Sequence, residues 1–134
     1  MPTITDIEGI GEAYAVKLRQ AGIRTTEHLL EKGGKVKGRQ ELAKVTGFST
    51  KTILEWVNRA DLYRVAGIGA QYSDLLEAAG VDTVRELANR KPEALLEALA
   101  KVNAKKNLVN LLPGLNRVQD WVKQAKSLKR AVEY

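Results

Sequence analysis

Apolar residues recur along this chain at helical intervals, and nowhere do they alternate with period two for long enough to make a strand. Tyr14, Leu18 and Ala21 mark a short helix, which Gly22 ends as a residue able to take the left-handed conformation. Thr25 can cap a second short helix through Leu30, and Gly33-Gly34 break it. A further helix is predicted over about residues 38–45 and interrupted at Gly47. The next follows Ser49 as its cap, with Ile53, Trp56, Val57 and Ala60 on one apolar stripe. Downstream, Thr83 and Glu86 make a capping box, and Pro92 suits the first position of a helix over about residues 93–102. Pro113-Gly114 then precedes a last helix, with Asn116 as its expected cap. The predicted fold class is all-α.

The pattern also repeats. Ile7-Glu8-Gly9-Ile10-Gly11 returns as Val65-Ala66-Gly67-Ile68-Gly69, an offset of 58 that also carries Tyr14 onto Tyr72, Leu18 onto Leu76, Gly22 onto Gly80 and Thr25 onto Thr83. A shift of seven further residues, reflecting extra chain between Leu95 and Pro113, aligns Trp56-Val57 with Trp121-Val122. The expected organisation is therefore two copies, residues 1–62 and 63–134, with no Pro/Gly/Ser-rich linker between them.

Charge gives this repeat a direction. The chain is 134 residues long with a net charge of +6, a balance that favours a polyanionic partner. Between Lys32 and Lys51, six basic residues stand against the single acid Glu41. Between Lys101 and Arg130, eight stand against Asp120. There is no cysteine, so disulfides, thiolate metal sites and cysteine nucleophiles are excluded. With no secretory apolar run and no apolar stretch near membrane-spanning length, a cytoplasmic address and no membrane partner are expected. His28 has no partner set for catalysis, and neither a phosphate-binding loop nor a metal-ligand spacing stands out. The expectation is a non-enzyme with no catalytic residue, metal, cofactor or small-molecule substrate.

The remaining candidate chemistry lies in the glycine turns. In hydrophobic-x-Gly-hydrophobic-Gly, Gly9 and Gly11, like Gly67 and Gly69, can adopt dihedrals closed to other residues. They also leave backbone N–H groups uncovered at the start of the next helix, a natural anion site. On that reading Gly11→Val or Gly69→Val should strain the turn and harm stability. A second, more degenerate turn runs from Val45 through Gly47, Phe48, Ser49 and Thr50 to Lys51, and a worn counterpart spans residues 112–117.

These motifs resemble the helix-hairpin-helix superfamily. The doubling, the Ala-Gly-Ile/Val-x-Thr step and the Trp-Val near each copy's end look most like the domain-of-unknown-function 4332 family. The resemblance implies two tandem helix-hairpin-helix (SAM-domain-like) units, in which a hairpin grips a nucleic-acid phosphate through main-chain N–H groups. The implied nucleic-acid-binding residues are Gly9, Gly11, Gly47, Ser49, Thr50, Lys51, Gly67 and Gly69, with Lys35, Lys37, Arg39 and Arg117 as neighbouring cations. DNA is expected before RNA.

The sequence departs from that pattern at Glu8 and Glu12, whose carboxylates would repel a phosphate. They favour the alternative reading, a protein-interaction or scaffold module on the same helices. Trp56 and Trp121 could stack on bases, but their apolar spacing predicts core positions, as it does for Tyr14 and Tyr72.

Overall fold

A computed structural model describes residues 2–134 of the chain. Its described residues are helical apart from turns, loops and a single antiparallel β-bridge between Thr3 and Thr25. They form two compact units. Unit 1 comprises Met1–Tyr63 with Arg130–Tyr134, and unit 2 comprises Arg64–Lys129.

Unit 1 contains α1 (Glu12–Gln20), α2 (Thr26–Gly33), α3 (Val36–Thr46) and α4 (Thr50–Leu62). Two of these start where local chemistry places them. The Thr25 hydroxyl accepts from the His28 N–H at 3.1 Å, and the Ser49 hydroxyl from the Thr52 N–H at 3.1 Å. α4 lies against α2 and α3, and its apolar stripe of Ile53, Trp56, Val57 and Ala60 joins Ile4, Ile7, Leu18, Leu29 and Val132 in one core.

Gly33 and Gly34 mark the expected break between α2 and α3, and they serve packing as well. α2 runs to Gly33, and Gly34 keeps right-handed helical dihedrals. A Cβ on Gly33 would sit 2.6 Å from Val57 Cγ2, and one on Gly34 would sit 2.6 Å from the Ala131 carbonyl oxygen. Close packing therefore requires glycine at both positions.

Unit 2 contains α5 (Ala70–Ala78), α6 (Val84–Ala88), α7 (Pro92–Lys106) and α8 (Leu115–Ser127). α8 packs on α6 and α7 and buries Val118, Trp121, Val122 and Ala125; Leu76, Leu87, Leu95 and Leu99 of the same unit are buried as well. The Thr83 hydroxyl caps α6 by accepting from the Glu86 N–H at 2.9 Å, and Pro92 opens α7.

The extra chain of this unit goes into α7, which has 15 residues where α3 has 11, and into the loop that follows. Asn107 ends α7 in the left-handed region (φ 50°). The Asn103 side chain then clamps the loop, donating to the Val109 carbonyl at 3.1 Å and accepting from the Val109 N–H at 3.0 Å. The cap of α8 is Gly114, not Asn116. Gly114's carbonyl accepts the first helical bond, from the Val118 N–H at 3.1 Å, which leaves Asn116 already inside the helix. Among the described residues no helix is long and apolar enough to cross a membrane.

Candidate nucleic-acid interface

The first turn of each unit has the same backbone. Gly9 has φ +94° and Gly67 has φ +93°, a region that an L side chain enters only at a cost, so glycine is demanded at both places. Beneath each turn lies the indole of the matched tryptophan. A Cβ on Gly9 would come 3.5 Å from Trp56 Nε1, and one on Gly67 would come 3.1 Å from Trp121 Nε1. Both indoles are buried, and that of Trp121 finds no hydrogen-bond acceptor among the described residues. Tryptophan here is core support for a turn rather than a free stacking surface.

The second glycine of each turn differs from the first. Gly11 (φ −81°, ψ −179°) and Gly69 (φ −101°, ψ −168°) are extended, a conformation that any residue adopts. A Cβ on either would meet nothing within 4 Å. The expected strain from valine at Gly11 or Gly69 is therefore absent, because neither dihedral nor packing asks for glycine there. Both residues are exposed N-caps, of α1 and α5, and the N–H groups of the first helical turn beyond them have no partner within the helix.

Tyrosine ties the two turns of each unit together. In unit 1, Tyr14 packs edge-on to Phe48 with ring centroids 5.0 Å apart, and Trp56 lies 6.0 Å from Tyr14 and 5.0 Å from Phe48. This joins the turn at residues 7–11 to the one at residues 45–51. In unit 2, the Tyr72 hydroxyl donates to the Leu111 carbonyl at 3.3 Å and accepts from Arg117 at 3.3 Å, while its ring packs 5.3 Å from Trp121.

Neither tyrosine is the core residue that spacing predicts. Tyr14 is 47% exposed and Tyr72 half-buried. Lys17, whose ammonium lies 5.6 Å from the Phe48 centroid, adds a cation beside the first unit's turns that no sequence signal marked.

The second turns diverge. Gly47 takes φ +80° as it ends α3, and the exposed Ser49, Thr50 and Lys51 follow with no acid in the first turn of α4. In unit 2 the corresponding segment has no left-handed glycine. Gly114 is extended there, and Arg117 is exposed with its guanidinium 5.8 Å from the Tyr72 centroid.

Lys35 and Lys37 are also exposed, but Arg39 is not a surface cation. It is 5% exposed and donates to the Gly33 and Gly34 carbonyls at 2.9 Å each and to the Glu133 carbonyl. Its charge is committed inside unit 1, which removes it from the set that could meet a phosphate. The helix end beside Lys35 is occupied as well, since the Val36 N–H donates to the Glu133 carboxylate at 3.3 Å. At the first turn Glu8 and Glu12 are exposed, and Glu12 pairs with Arg19 at 2.6 Å. Among the described residues no group of three His, Cys, Asp or Glu side chains could hold a metal ion.

No curated protein and no solved structure matches this chain. The family described as Domain of unknown function (DUF4332) matches residues 8–128, from the first glycine turn to the end of the last helix. The chain belongs to that family.

Proposed function

We propose that this chain is a non-catalytic, cytoplasmic module that binds nucleic acid, duplex DNA before RNA, without regard to sequence. Its turns act as helix-hairpin-helix grips: backbone N–H groups at Gly11–Glu12, Ser49–Lys51 and Gly69–Ala70 meet phosphates, with Gly47 shaping the second turn, while Lys35, Lys37, Lys51 and Arg117 supply charge. The observation that carries this reading is the second glycine of each first turn. At Gly11 and Gly69 the fold needs no glycine, yet each turn has one, leaving the helix N-terminus bare for a ligand that must approach the backbone closely.

The test is a salt titration of fluorescence anisotropy with a labelled duplex. Binding that neutralises several phosphates weakens linearly with log salt, at a slope of about −0.9 per phosphate. Lys37→Glu with Lys51→Glu, both at exposed positions, is expected to weaken binding at least tenfold and to flatten that slope by about two. No binding below about 100 mM salt, or unchanged affinity in the double variant, overturns the assignment.

A second reading, docking of another protein, is favoured by one observation: the exposed carboxylates of Glu8 and Glu12 at the first turn. A stoichiometric protein partner that survives nuclease and high salt would support it over the first.

A further inference from the structure

The last five residues leave unit 2 and lie in a groove of unit 1. Val132 is buried in the apolar core of that unit with 3% exposure. The Glu133 N–H donates to the Gly34 carbonyl at 2.7 Å, its carbonyl accepts from Arg39, and its carboxylate accepts from the Val36 N–H at 3.3 Å. The Tyr134 hydroxyl donates to Asn58 Oδ1 at 2.7 Å.

The wall is shaped for this strand of chain. Gly34 keeps ordinary helical dihedrals, yet a Cβ on it would come 2.6 Å from the Ala131 carbonyl oxygen and 2.7 Å from the Leu30 carbonyl oxygen, so glycine there makes room for the tail as well as for the end of α2. Arg39 is held in place by its Nη1 bonds to Gly33 and Gly34 and turns Nη2 to the tail, where it donates to the Glu133 carbonyl. An apolar pocket, main-chain pairing, a helix N-terminus for an acidic side chain and a fixed guanidinium are together the parts of a peptide-recognition site.

None of these contacts depends on which chain supplies the tail. We propose that the groove is a recognition site for the extended sequence Val132-Glu133-Tyr134, and that it takes the tail of a second copy in exchange for its own. Reciprocal exchange replaces each contact with an identical one, so two copies can join at little cost beyond their association. Tethering gives a chain's own tail an effective concentration of about millimolar order, so the second copy competes as the protein is concentrated towards that range. The occupant is a second copy because the sequence that meets this groove's contacts is one every copy carries.

The test uses the full-length Val132→Asp chain, whose tail is expelled by a charge at a core position. A labelled peptide of residues 128–134 is expected to bind it saturably, and to bind the wild-type chain about tenfold less or worse. The same peptide with Val132→Asp is expected to bind neither. Light scattering of samples concentrated to about millimolar is expected to find dimer in the wild type and none in Val132→Asp. A Val132→Asp chain that keeps its helical circular dichroism but does not take the peptide overturns the proposal, as does equal dimer content in both chains. Should Val132→Asp lose its helical signal, the exposed-site variant Glu133→Lys/Tyr134→Ala carries the same two readouts.

Discussion

The two units carry one turn in two chemical settings. At residues 7–11 and 65–69 the left-handed glycine, the extended glycine and the indole beneath are reproduced, with φ at the first glycine differing by a single degree. Around that shared frame, Glu8 and Glu12 of unit 1 stand where unit 2 has Ala66 and Ala70. The second turns differ in shape as well: three residues separate α3 from α4, whereas a long loop held by Asn103 separates α7 from α8. Turn geometry is thus set by a few positions that sterics forbids to vary, while the charge a ligand would meet is free to differ between the copies.

Removing the support under the turns should have the largest effect. Trp121 is fully buried, and Trp121→Ala is expected to cost about 3–5 kcal/mol in urea unfolding. Trp56→Ala should fall at the low end of that range, because Tyr14 and the partly buried Phe48 lie at its open side and can close over the gap. Equal losses would mean that the two indoles are equivalent supports.

Next come the left-handed glycines. Gly67→Ala is expected to destabilise by about 1–2 kcal/mol from the dihedral alone, with a further loss because its Cβ would press on Trp121 Nε1 at 3.1 Å. Gly9→Ala should show the dihedral penalty without the contact, since Trp56 Nε1 stands 3.5 Å off. A smaller loss at Gly67 than at Gly9 would break that ranking.

A gentler change sharpens the chemical difference between the units. Glu8→Gln with Glu12→Gln makes the first turn resemble the second in charge. The pair should raise duplex affinity several-fold at low salt, in the anisotropy assay, with the gain fading as salt screens the field. Unchanged affinity would place the first turn outside the binding surface.

What the sequence disclosed divides by range. The caps Thr25, Ser49 and Thr83 were legible because a hydroxyl and an N–H three residues on settle the matter between them. The expected cap Asn116 lost to its neighbour Gly114, a shift of two residues that residue preference alone does not resolve.

Arg39 was misread because its surroundings are remote. Lysines flank it in the sequence, but its burial depends on a tail 94 residues away that contributes the Glu133 carbonyl. Tyr14 sits at core spacing on α1, yet that short helix ends its apolar face at the surface beside Phe48. The motif named Gly9 and Gly11 together, and only coordinates separate a glycine the backbone requires from one it does not. That separation also reverses the expected effect of valine at Gly11 and Gly69, turning substitutions that would have reported on folding into reporters of binding.

The smallest expected change in stability therefore makes the most direct measurement. Gly11→Val/Gly69→Val should unfold within about 1 kcal/mol of the wild-type chain, the modest cost of a poorer helix cap. In the same preparation, its affinity for a labelled duplex should drop tenfold or more, because two isopropyl groups now cover the bare N–H groups. Wild-type affinity in this well-folded variant would mean that nothing approaches those turns, and phosphate gripping would have to be abandoned.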